Sequence, residues 1–357
     1  MHRSALIMWS DEDIEAMRAA LLEWYDREGR TLPWRVRPED RAKGAKPDPY
    51  AIWLSEIMLQ QTTVPHGTPY WHKFLRLYPT VDDLAAAPLD DVLIHWAGLG
   101  YYARARNLHK CAKIVVANHG GRFPRTKAEL IQLPGIGDYT ASTIAAICFD
   151  EPTTIVDGNV ERVMARLHRV EAPLPKAKPE LKRLATVLSD PDRPGDYGQA
   201  VMDLGATVCT PRSPSCLLCP WKDWCRAYEA GDQTDYPKKT PKKAKPVRHG
   251  QAFVMLKDGA VWLRRRVEEG LLGGMMEVPT TDWIASETAF DPPIAADWVR
   301  TAAPVRHVFT HFELRLDVHV AHVKSDPPGE GRWVATDALG QEALPSLFKK
   351  VLRAADL

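Results

Sequence analysis

With 357 residues, 45% hydrophobic and 26% charged, the chain reads as two or three ordinary globular domains and excludes a protein that is disordered overall. Its formal net charge of +1 offers no bulk attraction for nucleic acid, so any such contact has to come from local patches and backbone amides. No apolar run is long enough to cross a bilayer, and Met1-His2-Arg3-Ser4 leads into a short apolar patch and an acidic cap rather than a signal core, so a cytoplasmic chain without a membrane partner is expected.

In chain order, Ser10-Asp11-Glu12-Asp13 opens a helix in which Ile14, Met17, Leu21 and Trp24 recur at helical spacing, ending near Gly29. Leu32-Pro33-Trp34-Arg35 follows, and the polar stretch Pro38 to Pro49 reads as a surface insertion. From Tyr50 to Val170 the pattern is helical, broken by turn signals at Pro79-Thr80, Pro88, Gly98 to Gly100, Gly120-Gly121 and Pro134 to Gly137. The segment Gly231 to Gly250 carries Lys238, Lys239, Lys242, Lys243, Lys245 and Arg248 among prolines and reads as a solvated linker. Beyond it, Phe253-Val254-Met255-Leu256, Val261-Trp262-Leu263 and the alternating Leu314, Leu316, Val318 and Val320 predict strands, with a last helix around Leu344 to Leu352: an α+β unit.

Six stretches carry chemistry. In Leu133-Pro134-Gly135-Ile136-Gly137-Asp138-Tyr139-Thr140 the glycines Gly135 and Gly137 allow a hairpin whose amides face a phosphate at the start of a helix. Glu56 sits in a helix that is apolar on nearly every side, Trp53-Leu54-Ser55-Glu56-Ile57-Met58, where desolvation favours the neutral acid and lets it donate a proton near neutrality. Asp157 follows an apolar run and precedes a helix face, which by itself makes it an N-cap. Paired with Glu56, it supplies the second carboxylate that cleavage of an N-glycosidic bond needs, one group protonating the leaving base and the other facing an oxocarbenium-like sugar. Cys209, Cys216, Cys219 and Cys225 gather four soft ligands among prolines, suited to zinc or an iron-sulfur cluster, and their spacing alone does not decide between the two. Lys222, Arg212 and Arg226 would add positive charge beside that loop. Gln60-Gln61-Thr62-Thr63 and Gly98-Leu99-Gly100-Tyr101-Tyr102-Ala103-Arg104 offer amide and aromatic wedges of the kind that fill the gap left by an extruded base.

Taken in order, Trp53 to Thr62, Gly98 to Leu108, Leu133 to Gly137, Asp157-Gly158-Asn159-Val160 and the four cysteines resemble the MutY-type adenine DNA glycosylases of the helix-hairpin-helix superfamily. The resemblance runs from about Leu21 to Cys225 and implies a mostly α fold of two helical lobes with an iron-sulfur cluster loop. The catalytic region would be residues 1–230, with a six-helix lobe at about 50–153 and a cluster lobe from about 1–49 and 154–230. A linker at 231–250 and a C-terminal α+β Nudix-like domain at 251–357 complete it. The implied activity is hydrolysis of the N-glycosidic bond of adenine mispaired with 8-oxoguanine or guanine in double-stranded DNA, as base excision repair by a monomer. Glu56 would protonate adenine N7, Asp157 would stabilise or capture the sugar cation with Asn159 in support, and the cysteines would hold a [4Fe-4S] cluster. Gln61 and Tyr101 would intercalate, and Trp34, Arg35 and Gln199 would line the adenine pocket.

Tyr139 stands where the related endonuclease III family has a lysine that attacks the sugar; a phenol forms no imine, so the resemblance implies a monofunctional glycosylase. The Gly270-Leu271-Leu272-Gly273-Gly274 turn resembles a Nudix domain, but residues 275 to 300 lack the Arg-Glu and Glu-Glu pairs of its metal helix, so no hydrolysis is expected there. The family senses 8-oxoguanine with an F-S-H loop, here Phe309-Thr310-His311; Thr310, together with Leu272 and Thr63, departs from the common pattern, which bears on lesion discrimination rather than base removal. Two other readings are an endonuclease III-like glycosylase/lyase, opposed by Tyr139, and a non-catalytic DNA-binding iron-sulfur protein, opposed by the Glu56 and Asp157 pair.

Overall fold

The computed structural model describes residues 9–241 and 244–357. Met1-His2-Arg3-Ser4, Lys242 and Lys243, named above, lie outside the described residues. The chain separates into two compact units: one runs to Asp82 and resumes over Cys111–Pro241, and the other joins Asp83–Lys110 to the chain after Pro241. Among the described residues no helix is long and apolar enough to cross a membrane.

The first unit is helical. Its opening helix, Asp11–Glu28, is capped as the sequence indicates: the Ser10 hydroxyl accepts from the Asp13 amide while the Asp13 carboxylate reaches back to the Ser10 amide. Buried Ile14, Met17, Leu21 and Trp24 make its inner face. The helix Pro49–Met58 starts with the Asp48 carboxylate accepting from the Tyr50 amide at 2.9 Å and Pro49 at its first position. Nearly every side chain along it is buried, which brings Glu56 into a desolvated setting. The expected surface insertion is more ordered than its composition suggests. Residues Pro38–Arg41 form a short helix, Arg37 is buried, and Arg41 ties the segment to Asp150 at 3.1 Å.

Three further helices set the site. Asp138–Phe149 follows a tight turn in which the Ile136 amide donates to the Leu133 carbonyl at 3.1 Å, with Pro134 next and Gly135 at φ 78°, the signature of a type II turn. Gly158–Leu167 is capped by Asp157. Pro194–Asp203 passes directly into a π-helical turn, Leu204–Val208, that delivers the chain to Cys209. A Cβ on Gly205 would stand 2.7 Å from the Asn159 Cβ, so the π-turn approaches the Asp157 helix only because position 205 lacks a side chain.

The second unit is built on a seven-stranded mixed sheet among the described residues: β1 Val247–Lys257, β2 Ala260–Arg265, β3 Met276–Glu277, β4 Val299–Arg300, β5 Val305–Val308, β6 Glu313–His322 and β7 Arg332–Ala335. Long β1 and β6 pair in parallel from Val247 with Glu313 to Leu256 with His322. Leu314, Leu316 and Val318 point into the core on the predicted alternation, and the helix Ser346–Ala354 buries Leu347, Phe348, Val351 and Leu352. No helix lies between Met276 and Arg300, in accord with the missing metal motif. Two features differ from the sequence expectation. β1 starts at Val247, inside the stretch read as linker, and Tyr236 is buried while Leu174 bridges to Lys239, so that stretch is anchored near both ends, whereas Lys238, Lys239, Lys245 and Arg248 are exposed as a solvated stretch would have them. The segment Asp83–Lys110 groups with the sheet, and within that unit Arg265 pairs with Asp90 at 2.6 Å and Arg106 donates to the Gly273 carbonyl.

Candidate active site

A cavity of about 400 Å³ in the helical unit is lined by Glu56, Tyr139, Asp157, Asn159, Gln61, Trp34, Arg35 and Gln199, so eight residues singled out from the sequence meet around one space. That volume suits a small ligand such as a nucleobase with its sugar.

The two carboxylates differ in setting. Burial pushes the Glu56 carboxyl up to about 7, the charge of Asp157 adding to the rise while the Tyr139 hydroxyl and Arg35 oppose it. Near neutrality a substantial fraction of Glu56 is therefore protonated. Asp157 is also raised by burial, but its oxygens are occupied by donors that favour the anion. Oδ1 accepts from the Asn159 and Val160 amides, both at 2.8 Å, and Oδ2 accepts from Asn159 Nδ2 at 2.8 Å. The N-cap expected from the sequence and a carboxylate facing the cavity are thus one and the same group. The Tyr139 phenol is held far above its ordinary range by burial and by the two carboxylates, so it stays a neutral donor, and its hydroxyl also approaches Met202 Sδ at 3.5 Å.

Arg35 lines the cavity as the sequence indicates, and its Nη1 and Nη2 donate to Asp203 at 2.7 and 2.9 Å. Asp203 is fully buried and also receives Arg30 Nε at 2.6 Å and the Arg30 amide at 2.8 Å. Trp34 packs edge-on against Trp71 at 5.6 Å, and Gln199 is anchored by Nε2 donating to the Gly195 carbonyl at 3.2 Å. Arg30, Asp203 and Arg162 were not singled out from the sequence. An acid set among Val201, Met202 and Leu204 was the one available signal for Asp203.

Arg162 links the Asp157 end to the cysteine loop. Its Nη2 donates to Asn159 Oδ1 at 2.8 Å and to the Gly205 carbonyl at 2.6 Å, and its Nε donates to the Cys209 carbonyl at 2.8 Å. The four cysteines line a single small cavity with Arg166, whose Nη1 lies 3.2 Å from Cys209 Sγ. Burial pushes the Cys219 thiol up to about 12 and the Cys225 thiol up to about 11, so as bare thiols they would stay protonated; their use there is as metal-bound thiolates balanced by the guanidinium. Among the described residues no three His, Cys, Asp or Glu side chains converge closely enough for a single metal ion. A zinc ion would draw its sulfurs to about 3.8 Å of one another. Four thiols around one cavity are the soft ligand set that an iron-sulfur cluster takes. Lys222, expected to offer its charge to a phosphate, leans on Asp223 at 3.4 Å.

At the hairpin, Gly135 and Gly137 are placed as the sequence indicates, on the turn and at the N-cap of Asp138–Phe149. Asp138 would oppose an anion there, but Lys127 at 2.8 Å and Lys182 at 2.6 Å neutralise it and hold its carboxyl below the usual range. The amides at the turn therefore remain available to a phosphate. Gln61 and Tyr101 both adopt left-handed backbone, φ 57° and 49°, and Tyr101 is 50% exposed, as side chains held out from a turn would be. In the second unit Tyr101 Oη lies 3.0 Å from Thr310 Oγ1, Phe309 stacks on Trp283 with ring centroids 5.8 Å apart, and His311 is exposed.

Comparison with known proteins agrees with this geometry. Residues 54–188 match the HhH-GPD superfamily base excision DNA repair protein, residues 209–225 the iron-sulfur binding domain of endonuclease III, and residues 251–354 the NUDIX domain. The chain is 36% identical to the adenine DNA glycosylase of Homo sapiens over 96% of its own length and 74% of that protein. It is 30% identical to that of Schizosaccharomyces pombe over 99% of its length and 92% of that protein. Among solved structures it is similar to a thermostable thymine-DNA glycosylase, with a TM-score of 0.54 and 28% identity over 62% of this chain and 98% of that one. A non-covalent endonuclease III-DNA complex shares the fold, with a TM-score of 0.52 and 22% identity over 63% of this chain and 99% of that one. The chain therefore belongs to the adenine DNA glycosylases, base-excision hydrolases of N-glycosyl bonds that pair a helix-hairpin-helix catalytic unit and a [4Fe-4S] loop with a C-terminal NUDIX domain.

Proposed function

We propose that the enzyme acts as a monomer on double-stranded DNA and removes adenine mispaired with 8-oxoguanine or guanine, by hydrolysis without strand cleavage. The observation that carries this is the shared cavity with its two unlike carboxylates, Glu56 able to be neutral and Asp157 held by three donors. Glu56 gives its proton to N7 of the extruded adenine as the bond from C1′ to N9 breaks, the bonding electrons leaving with the base. Asp157 steadies the resulting sugar cation, Asn159 keeps that carboxylate aimed, and water adds to C1′ while its proton returns to a carboxylate. Trp34, Arg35 and Gln199 bound the base. Gln61 and Tyr101 fill the vacated stack, Gly135 and Gly137 hold the backbone, and Phe309, Thr310 and His311 read the opposite base. The iron-sulfur cluster, when bound, fixes the loop that carries Cys209 and so supports Arg162 and Asn159.

Duplexes carrying adenine opposite 8-oxoguanine, guanine or thymine, developed with hot alkali, test the reading. Breakage at adenine in the first two alone, and only after alkali, is expected; breakage without alkali, or efficient borohydride trapping of the protein on DNA, overturns the monofunctional assignment because Tyr139 cannot form the trapped imine. Replacing Thr310 and His311 together is expected to narrow the preference for 8-oxoguanine over guanine, and unchanged preference removes those residues from lesion reading.

A further inference from the structure

A second cavity, about 680 Å³, opens on the sheet of the C-terminal domain and is walled by Arg248, Arg264, Arg265 and Arg266. Arginines crowded into one concavity repel one another unless something is held between them. Their internal partners fall short. Both oxygens of buried Glu277 are taken, Oε1 by Arg264 at 2.9 Å and Oε2 by Arg266, so one carboxylate serves two guanidiniums. Arg265 is balanced by Asp90 at 2.6 Å. Arg248, exposed on β1, lies over the Phe312 ring at 4.4 Å and has no carboxylate partner among the described residues. With exposed Asp282 at the rim, four guanidiniums face three carboxylates.

A surplus of one positive charge, on planar forks suited to two-point contact with phosphate oxygens, matches one phosphodiester better than the several charges of a nucleoside triphosphate. The wall of the cavity also adjoins the Phe309 loop. The Trp283 ring is stacked on Phe309 and has the Arg266 guanidinium over it at 5.1 Å, and its buried Nε1 has no acceptor among the described residues. A free donor at atomic burial is costly unless an acceptor arrives. We propose that this arginine cavity binds a nucleotide phosphate, with Arg248 as its uncommitted cation, and that the diester of a DNA strand passing the Phe309 loop is the occupant.

The test uses the full-length protein with its cluster, in the Glu56→Gln form so that DNA is not consumed. Its affinity for an undamaged duplex is followed against salt, and a released counterion appears as a slope of about one in the logarithmic plot. Arg248→Ala is expected to lower that slope by about one and to weaken binding several-fold at low salt, while Arg248→Lys, which keeps the charge, restores the slope. In the second arm dGMP and inorganic phosphate are titrated calorimetrically. Saturable binding of dGMP that Arg248→Ala abolishes, with an unchanged DNA slope, retains a nucleotide-phosphate site but reassigns its source to free nucleotide. An unchanged slope together with no dGMP or phosphate binding overturns the proposal. Because these titrations read binding alone, their failure leaves the excision assignment untouched.

Discussion

At the scale of single residues, the proposed reaction gives the two carboxylates of the cavity opposite tasks. Glu56 is raised from about 4.5 to about 7 by burial, so the folded protein keeps its proton where the unfolded chain has lost it. The stability associated with the neutral form is fully present below the unfolded value and is lost as pH rises through about 7. Glu56→Gln is therefore expected to match the wild type near pH 4 and to exceed it by about 3 kcal/mol above pH 7, measured as denaturant midpoints across that range. A constant gap at all pH values would place Glu56 in water. Asp203 represents the reverse case, a buried anion fully engaged by Arg30 and Arg35. Asp203→Asn leaves two guanidiniums without their counter-charge and is expected to cost about 3 kcal/mol in thermal or denaturant unfolding. A loss below about 0.5 kcal/mol would show that Arg30 and Arg35 find water instead.

At the scale of elements, three helix starts do most of the positioning: Asp48-Pro49 for Glu56, the Gly135 turn for Tyr139, and Asp157 for its own helix. The two hairpin glycines are separable by experiment. Gly135 sits at φ 78°, so Gly135→Ala is expected to cost roughly 1–2 kcal/mol of stability. Gly137 has ordinary extended backbone, and a Cβ there meets nothing within 4 Å, so Gly137→Thr should leave stability unchanged and weaken duplex binding by reducing access to the amides. If Gly137→Thr binds DNA as tightly as the wild type in a gel-shift titration, the hairpin is not the phosphate grip. The starts of these helices were legible because caps and glycines act over three or four residues. The joint between Asp157 and Cys209 was not. Arg162 reaches across by packing, and the π-turn that admits it depends on Gly205 meeting Asn159, a contact between positions 46 residues apart. The anchoring of the stretch before β1 was hidden for a related reason: its exposed lysines mark a solvated chain, and nothing local reveals that Tyr236 is buried.

At the scale of the whole molecule, the order of motifs along the chain exposed the architecture, since each short motif fixes its own local geometry and five in sequence leave few folds to choose from. The grouping of Asp83–Lys110 with the sheet was hidden because contacts such as Arg265 with Asp90 and Arg106 with Gly273 are announced by no periodicity. In the proposed reaction a neutral Glu56 delivers the proton that releases adenine. Single-turnover excision from an 8-oxoguanine:adenine duplex, followed from pH 5 to pH 9, tests it most directly. The rate is expected to fall about tenfold per pH unit once pH exceeds about 7, with a Glu56→Gln enzyme at least about a thousandfold slower throughout; a rate independent of pH to 9, or a Glu56→Gln enzyme that still releases adenine at wild-type speed, would remove Glu56 as the proton donor.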